Sequence, residues 1–568
     1  MNASLSRRGF VAGTVATLGA AAIGGFAIAD EPAAPAVEID GNNLPIDPNY
    51  VIDLSQGVPK WSFEIPPAPI PEEEITETIE DEIIVIGAGM SGFCCAASAA
   101  EAGASVTLFS ASSHPISRGG SNFSKYNKVM AEYGIEPFDE VEFFYHEMRA
   151  ASFTIDQQMW MRGYNNSEEA FDWMIDIVRD HGVEVFLERD NINDHGPNYA
   201  IAFGSGDPSV GAAAGQQGAV EAMAAFAAEK GAKIIYDTVA KQLIREDPAG
   251  PVTGVIAQKA DGSYVKFLGK YIVMATGTFD GDKNMVAKYC PQVARVSSME
   301  QREIDYNTGF SFGSIFAGDG QKMGLWIGAA WQRCSAAPMM QGGTTGSNEP
   351  LGFHQGLNVN SRTERFRRED MSGPYTANHL INVPGHTSYA IWTANYAQDI
   401  IDTGRDWYFF NTRYDDPPAT AEEMIARWDT SYGIVRADTL EELANTLGLD
   451  AQKLADVIAR YNELVELGED LDFHKNPDYL VYVNPDGPFY AATCGGLFMT
   501  VMGGLNTNYM LQVCDNNDEP IPGLFNIGQM IGNMYANNYN FAIPGNSYGI
   551  NCITFGYLLG RDLAAGKF

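Results

Sequence analysis

The sequence Asp81-Glu82-Ile83-Ile84-Val85-Ile86-Gly87-Ala88-Gly89-Met90-Ser91-Gly92 joins a short apolar strand to the start of a helix through three closely spaced glycines. This spacing is the fingerprint of dinucleotide-binding folds, in which each glycine has its own task. Gly87 makes the tight turn, Gly89 lets the backbone approach a pyrophosphate, and Gly92 lets the helix pack closely on the strand. We therefore expect a nucleotide diphosphate at the helix N-terminus that follows this turn.

A second strand follows at the distance that this fold requires. Residues 93–102 are rich in alanine and predict a helix, and Ser105-Val106-Thr107-Leu108-Phe109 is the next apolar run. In dinucleotide-binding folds an acidic residue usually closes that second strand and binds the ribose hydroxyls. Here the position belongs to Ser110, whose hydroxyl can make a weaker contact of the same kind.

The composition describes a large, acidic, globular chain. Of its 568 residues 45% are hydrophobic, which is enough for two or three domains with large cores. The formal net charge of −36 and the isoelectric point near 4.4 argue against nucleic acid as a partner, because polyanion binding needs a basic face. The seven cysteines and eight histidines show no metal spacing, so no metal site is predicted and most cysteines should be buried thiols.

The amino terminus predicts export. Ser6-Arg7-Arg8-Gly9-Phe10 precedes an apolar run and Ala27-Ile28-Ala29, which matches a twin-arginine signal peptide with a cleavage site. A single membrane anchor is the alternative, but the segment is rich in Ala and Gly and is followed by Asp30-Glu31-Pro32. We therefore predict a signal peptide over residues 1–29, a mature protein in the periplasm or at the extracytoplasmic face of the envelope, and no integral membrane span after cleavage.

A linker rich in proline, alanine and acidic residues is predicted at 30–77, as a tether or as a strap over the surface. Trp61 and Phe63 indicate that its second half docks on the folded part of the chain.

Regular elements are predicted from residue 78 onward: helices near 167–178 and 211–230, a strand at 233–236 and a hairpin over 254–267. The apolar strand Tyr271-Ile272-Val273-Met274-Ala275-Thr276-Gly277 then ends in Ala-Thr-Gly. This ending is a second hallmark of flavoproteins, in which the strand stops beside the bound nucleotide.

Several ordered motifs extend the match over nearly all of the chain after residue 80. They are Arg118-Gly119-Gly120-Ser121-Asn122, Ala275-Thr276-Gly277, Gly318-Asp319-Gly320-Gln321-Lys322-Met323, Glu364-Arg365-Phe366-Arg367-Arg368-Glu369, Pro522-Gly523-Leu524-Phe525-Asn526-Ile527-Gly528 and Pro544-Gly545-Asn546-Ser547-Tyr548-Gly549. With these motifs the chain resembles the fumarate reductase and succinate dehydrogenase flavoprotein superfamily. The resemblance is to its soluble branch, which includes 3-ketosteroid dehydrogenases, urocanate reductases and the drug- and steroid-reducing enzymes of anaerobic gut bacteria.

The resemblance implies an α/β fold in which a Rossmann-like FAD-binding domain, discontinuous in sequence, carries an inserted α+β capping domain. We expect the FAD-binding domain at residues 78–352 and 499–568 and the cap at 353–498. The FAD is expected to be noncovalent, because no histidine or cysteine stands at an evident attachment position. The residues expected to bind it are Gly87, Gly89, Met90, Ser91, Gly92, Ser110, Gly119, Gly120, Ser121, Thr276, Gly277, Gly528, Gln529, Gly545, Asn546 and Ser547.

The arginine and histidine clamp that fumarate reductases use for their dicarboxylate is missing. The resemblance places Ala542 at the position of the clamp arginine, Met499 or Thr500 at the position of a histidine, and Ala397 near the position of the proton-donating arginine. A carboxylate buried without cationic partners is very costly. Fumarate is therefore not the expected substrate.

Aromatic and amide side chains take the place of these charges, which suits a larger, neutral, partly apolar substrate. The expected substrate contacts are Tyr396, Asn538 and Tyr539. Because the chain has 26 tyrosines, packing in the cap core is the alternative for each tyrosine.

By resemblance to 3-ketosteroid dehydrogenases, Tyr375 is the expected proton donor, with Glu369 or Arg368 as its relay to solvent. A phenol with a pKa of about 10 is protonated at neutral pH and can donate in the reductive direction. The neighbouring Arg365 and Arg367 are read either as part of the motif or as solvated surface charges.

The electron source is expected to be a separate protein. The sequence has no second glycine fingerprint after a strand, no haem-attachment motif and no ferredoxin-like cysteine set. We expect a membrane-linked donor, such as a quinol-fed cytochrome or a flavin carrier, instead of NADH.

The sequence therefore predicts an exported FAD-dependent oxidoreductase that reduces a carbonyl-conjugated C=C bond of a steroid- or phenylpropanoid-like enone in anaerobic respiration. The main alternative is the reverse reaction, in which a 3-ketosteroid-type dehydrogenase introduces a C=C bond. Two less favoured alternatives are a fumarate- or urocanate-type acid reductase and a non-catalytic flavin-binding envelope protein.

Overall fold

The computed structural model describes residues 60–568 with the exception of 118, 138, 189–199, 205–211, 297–303, 309–315, 345–355, 372–374, 376–377, 403–412, 416–418, 432 and 540–544. The predicted signal peptide, the first part of the linker, Arg118 and Ala542 lie outside the described residues.

The strands, numbered along the chain, are β1 (Ile75–Glu80), β2 (Ile83–Ile86), β3 (Val106–Phe109), β4 (Glu184–Leu187), β5 (Ile201–Gly204), β6 (Lys233–Ile235), β7 (Thr238–Ile244), β8 (Gly254–Lys259), β9 (Tyr264–Leu268), β10 (Tyr271–Met274), β11 (Ala337–Thr344), β12 (Leu357–Asn360), β13 (Thr387–Thr393), β14 (Ile434–Ala437), β15 (Phe489–Met502), β16 (Gln512–Cys514) and β17 (Pro520–Asn526). The α-helices are α1 (Met90–Glu101), α2 (Lys128–Glu132), α3 (Glu140–Ala150), α4 (Gln157–Asp180), α5 (Ala212–Glu229), α6 (Lys283–Tyr289), α7 (Pro291–Val296), α8 (Asp319–Trp326), α9 (Tyr396–Asp402), α10 (Ala421–Thr430), α11 (Leu440–Leu447), α12 (Ala451–Leu467) and α13 (Phe555–Ala564). The helices predicted near 167–178 and 211–230 are confirmed as α4 and α5, and the predicted strands and hairpin are confirmed as β3, β6, β8, β9 and β10.

The first apolar run of the sequence lies in the middle of a six-stranded sheet. The strand order is β16-β17-β10-β2-β3-β6, and every pair is parallel except β16 with β17. All four residues of β2 are buried. A parallel sheet covered on both faces needs such continuous apolar strands, and here helices cover it.

Small residues face each other between α1 and α13, so the backbones of the two helices lie in direct contact. A Cβ atom added to Gly560 would lie 2.3 Å from the carbonyl oxygen of Cys95, and one added to Gly556 would lie 2.7 Å from that of Ser91. A π-helical segment, Ser547–Thr554, precedes α13. The close packing therefore holds the C-terminal motif beside the N-terminus of α1.

The second half of the predicted linker docks on the folded domain, as the sequence predicted. Trp61 and Phe63 are buried, and the ring of Phe63 lies 5.9 Å from that of Tyr289. The linker then continues into β1, which pairs in parallel with β9 in a sheet of order β1-β9-β8-β7.

A third sheet of order β11-β15-β13-β12, with β14 on β15, is formed mostly by strands of the predicted cap, but β11 precedes the predicted cap boundary at residue 353. One face packs on α11 and α12, and the other packs near α10 through Trp392, Trp428 and Tyr490. The predicted boundary at residue 498 falls inside β15, which therefore runs from the cap towards the nucleotide-binding part of the chain.

Candidate active site

A cavity of about 420 Å³ lies at the carboxyl ends of β2, β3 and β10, where open parallel sheets bind ligands. Thirteen of the expected cofactor residues line it: Gly87, Gly89, Met90, Ser91, Ser110, Gly119, Gly120, Ser121, Thr276, Gly277, Gln529, Gly545 and Ser547. Gly92, Gly528 and Asn546 do not line the cavity, but they adjoin residues that do.

The glycine turn needs its glycines for two different reasons. Gly87 has a φ of +122°, and a Cβ atom there would lie 2.3 Å from the carbonyl oxygen of Ala275. A Cβ atom on Gly92 would lie 2.0 Å from the carbonyl oxygen of Gly87, so Gly92 allows the helix to approach the turn. Gly89 is different, because a Cβ atom there would meet nothing closer than the carbonyl oxygen of Ile116 at 3.8 Å. The space beside Gly89 is thus open to a ligand at the N-terminus of α1.

Ser110 takes the place of the usual ribose-binding carboxylate, as expected. It directly follows β3, is buried, and its Oγ lies 2.9 Å from the Oγ of Ser112. Both serines line the cavity. The structure therefore offers a pair of hydroxyls where related folds offer an acid.

Two segments far apart in the chain meet on another wall of the cavity. Gly545 has a φ of +73°, and a Cβ atom on it would lie 2.3 Å from the backbone of Ser121. The ring of Tyr548 lies against Gly119, where a Cβ atom would be 2.7 Å from it. Ser121 in turn donates to Oε1 of the buried Glu188 at 3.0 Å. These contacts fix the backbone of both motifs.

Buried polar atoms in and behind the cavity wall fit a flavin nucleotide. Gln529 lines the cavity, and Asn546 and Asn551 belong to the segment that also carries the wall residues Ser547 and Cys552. Oε1 of Gln529, Oδ1 of Asn546 and both amide atoms of Asn551 are buried without a hydrogen-bond partner. Native proteins leave few such atoms unsatisfied. The polar edge of an FAD ring system carries the donors and acceptors that these amides lack, so the residues present suit the cofactor.

Tyr539, an expected substrate contact, lines the cavity. Its hydroxyl oxygen accepts from the backbone N–H of Ser547 at 3.1 Å, and its ring meets that of Tyr535 edge to face at 5.3 Å. Burial raises the pKa of Tyr539 to about 12, so the hydroxyl keeps its proton at neutral pH. The hydroxyl of Tyr535 is buried without a hydrogen-bond partner. The hydroxyl groups of Tyr539 and Tyr535 can therefore both donate hydrogen bonds in this part of the site.

Asn538 precedes Tyr539 and is buried, with both amide atoms lacking hydrogen-bond partners. It does not line the cavity. Tyr396, the third expected substrate contact, lies in the cap, where its ring stacks on that of Trp428 at 6.4 Å. The structure thus places Tyr539 at the cavity and Tyr396 in the cap core.

The three expected catalytic residues lie in the cap segment between β12 and β13, and none of them lines the cavity. Tyr375 is half-buried. Arg368 pairs with Asp370 at 2.6 Å, and its side chain is 46% exposed. The side chain of Glu369 is fully buried. Transfer of a proton from Tyr375 to a substrate beside the flavin would therefore require the cap to move towards the cavity.

Glu369 belongs to a buried ion network. Arg365 donates to Glu369 at 2.9 Å and to Asp470 at 2.7 Å, and Nζ of Lys475 lies 3.2 Å from Glu369. The side chains of Glu369, Asp470 and Lys475 are fully buried, and Arg367 is 3% exposed. The interpretation of Arg365 and Arg367 as solvated surface charges is therefore wrong, because Arg365 pairs with Asp470 and Arg367 is buried against Asn358.

Comparison with known proteins agrees with this geometry. A model of the FAD binding domain family matches residues 82–547. The chain belongs to the fumarate reductase-type FAD-binding flavoproteins. It is 25% identical to the vinyl phenol reductase of Lactiplantibacillus plantarum, over 85% of this chain and 95% of that protein. It is 26% identical to the digoxin reductase of Eggerthella lenta, over 86% and 87% respectively.

The solved structures support the fold. The 3-ketosteroid-Δ4-(5α)-dehydrogenase of Rhodococcus jostii, solved with 4-androstene-3,17-dione, superposes with a TM-score of 0.64 at 20% identity, over 87% of this chain and 99% of that one. The expectations of an FAD-binding α/β fold with a cap and of an FAD-dependent oxidoreductase acting on C=C bonds are thus confirmed for this flavoprotein.

Several residues of the flavoprotein cavity were not expected from the sequence. The additional wall residues include Ser112, Ile116, Thr238, Tyr306, Asp319, Met339, Met502, Tyr548 and Cys552, whereas Met499 and Thr500 also line the cavity and stand at the predicted position of a clamp histidine. Tyr306 donates to Asp319 at 2.8 Å, which closes part of the wall. Asp319 and Tyr548 stand inside recognised motifs, so a motif-based assignment could have included them. Thr238 and Met339 carry no local signal, because distant strands bring them to the cavity.

Other expectations concern metals, thiols and membranes. No group of metal-binding side chains occurs among the described residues. All seven cysteines are free and all except Cys334 are buried, as expected for structural thiols. Within the described part of the chain, no helix is long and apolar enough to span a bilayer.

Proposed function

We propose that this flavoprotein reduces a C=C bond conjugated to a carbonyl group, in a partly apolar substrate whose reacting end is uncharged. The observation that carries the proposal is the cavity wall, which apolar, hydroxyl and amide groups form together with the carboxylate of Asp319. None of the described residues that line it is Arg, Lys or His. A carboxylate reacting there would lack a cation, whereas an enone oxygen needs only hydrogen-bond donors.

The cofactor, Tyr539 and Tyr375 have separate roles in the proposed reaction. FAD, when bound and reduced by the electron donor, would supply the hydride to one carbon of the double bond. The hydroxyl of Tyr539 holds the carbonyl oxygen, and the raised pKa of Tyr539 keeps it a hydrogen-bond donor. Tyr375 donates the proton to the carbon next to the carbonyl when the cap closes.

Similar proteins support the reductive direction. Two relatives over most of the chain are named as reductases, of vinyl phenol and of digoxin. A second candidate is the reverse reaction, and the likeness to 3-ketosteroid dehydrogenases in sequence and in fold favours it. Both reactions use the same site.

We also propose a cell compartment and an electron donor for the reaction. The twin-arginine pattern at Ser6-Arg7-Arg8 supports export, and the absence of a second nucleotide fingerprint in the sequence supports an external electron donor. We assign noncovalent FAD, a membrane-linked cytochrome or flavin carrier as donor, and a role in anaerobic respiration.

Steady-state assays in both directions test the proposal. Reduced methyl viologen serves as the electron donor with a steroid enone, and a dye acceptor serves with the corresponding saturated ketone; products are identified by mass spectrometry. The proposal predicts that enone reduction is the faster reaction. Faster desaturation would assign the dehydrogenase function, and no reaction with any enone or saturated ketone would contradict both candidates.

A further inference from the structure

Arg367 is a buried cation with unsatisfied donors. It lies between β12 and β13 and is 3% exposed. Its Nη2 donates to Oδ1 of Asn358 at 3.1 Å, whereas Nε and Nη1 are buried without a hydrogen-bond partner. Burial lowers the pKa of Arg367, but a guanidinium remains charged at neutral pH in proteins. Such a group is costly to keep unless an anion joins it.

The charges around Arg367 do not balance. The described cluster contains three cations, Arg365, Arg367 and Lys475, and two carboxylates, Glu369 and Asp470. Arg365 pairs with both carboxylates, and Lys475 pairs with Glu369. Among these described residues the cations outnumber the carboxylates by one, and Arg367 forms no hydrogen bond to either carboxylate, although Glu369 acts on it electrostatically. Burial and the charge of Arg367 lower the pKa of His379 nearby.

A second unsatisfied donor lies on the sheet face that Arg367 contacts through Asn358. Ser388 on β13 is directly opposite Asn360 on β12 and Cys494 on β15, and its hydroxyl is buried without a partner. Directly opposed residues share one face of a sheet, and so do Asn358 and Asn360. Burial raises the pKa of Cys494 to about 11, and electrostatic interaction with Arg367 opposes this shift. Asn358, which accepts from Arg367, therefore lies on the same face of the sheet as Ser388 and Cys494.

We infer that Arg367 and Ser388 form a subsite for a single carboxylate group of the substrate, at the end remote from the reacting double bond. This inference rests on the proposed function. A carboxylate would accept charge-assisted hydrogen bonds from the free guanidinium donors and from the hydroxyl. The single guanidinium of Arg367 matches a single carboxylate group.

Strand β15 connects this subsite with the flavin cavity. Cys494 interacts electrostatically with Arg367, and Met499 lines the cavity. Their separation along an extended strand is about 16 Å. The substrate is therefore an elongated molecule with an uncharged enone at one end and a carboxylate at the other, and the cap closes over the carboxylate end.

Ligand-dependent stability of the holoenzyme tests the subsite without turnover. The ligands are benzoate and its neutral isostere benzamide, and the proteins are wild type, Arg367→Met, Ser388→Ala and the exposed cap control Arg436→Met. We expect benzoate, but not benzamide, to raise the melting temperature of the wild type and of Arg436→Met. The shift should vanish in Arg367→Met and be smaller in Ser388→Ala. Equal shifts in all four proteins, or no benzoate shift in the wild type, would overturn the subsite.

Kinetics with a matched substrate pair test whether the anion belongs to the substrate. The pair is 3-oxochol-4-en-24-oic acid and its methyl ester, reduced by the wild type and by Arg367→Met. The KM of the acid should rise about tenfold or more in the variant, and that of the ester should change less than about threefold. Equal changes for acid and ester would overturn the inference. A benzoate shift without turnover of either probe would overturn the proposed reaction and support the carboxylate site.

Discussion

Replacing Gly89 with alanine tests whether the cavity holds the diphosphate of FAD. Gly89 precedes α1 with a φ of −88°, which an alanine adopts without strain. Its Cβ atom would lie 3.8 Å from the nearest atom, the carbonyl oxygen of Ile116. Alanine at this helix-capping position costs at most about 1 kcal/mol, so the apoprotein should keep its fold.

The added methyl group instead occupies open space where the diphosphate approaches the backbone. A phosphate held away from the helix N-terminus loses at least one charge-assisted hydrogen bond, worth about 1.5–3 kcal/mol. This loss corresponds to FAD binding that is about 10- to 150-fold weaker.

Titration of the apoprotein with FAD, followed by flavin fluorescence, measures this change. The matched control is Gly218→Ala in α5, where a Cβ atom would meet Val183 at 3.9 Å and does not face the cavity. FAD affinity of Gly89→Ala within about threefold of the control, at unchanged melting temperature, would refute the reasoning.

Three further outcomes are expected. Gly92→Ala places a Cβ atom 2.0 Å from the carbonyl oxygen of Gly87, so it should destabilise the apoprotein by about 1–3 kcal/mol in thermal unfolding, unlike the substitution at Gly89. Tyr539→Phe removes the donor assigned to the substrate carbonyl, so kcat should fall about 100-fold in steady-state assays while FAD affinity stays unchanged; an unaltered kcat would refute the assignment. Burial alone would raise the pKa of Asp470, but hydrogen bonds from Arg365 and the backbone hold it well below its usual range. The ionised carboxylate of Asp470 therefore stabilises the folded protein above about pH 4, and this stabilisation is lost as the pH falls further. In urea unfolding, Asp470→Asn should lower the free energy of unfolding by about 3 kcal/mol at pH 7 and by a decreasing amount below pH 4.

The nucleotide end of the site could be predicted because it depends on backbone geometry. Gly87, Gly92 and Gly545 stand where a side chain would meet backbone atoms within 2.3 Å. Such requirements appear directly in the sequence as glycines at fixed spacing. The sequence also shows that Ser110 stands where related folds have a ribose-binding acid, because that position directly follows the second strand.

The cap was less predictable because its contacts are long-range. Arg365 reaches Asp470 across the cap, and nothing near either residue in the sequence indicates this pairing. In the sequence Arg367 is indistinguishable from a surface residue, and only the folded cap shows that it is buried beside Asn358. As a tyrosine, Tyr396 could contact a ligand. Its stacking on Trp428 instead depends on how the cap folds, which the sequence near Tyr396 does not indicate.

The most direct test of the central claim is anaerobic reoxidation of the reduced protein. The holoenzyme is reduced with dithionite, and the flavin absorbance is followed as a steroid enone, a hydroxycinnamate, urocanate and fumarate are added one at a time. The account predicts rapid reoxidation by the enone and no reoxidation by fumarate. Rapid reoxidation by fumarate, or no reoxidation by any of the four compounds, would contradict it.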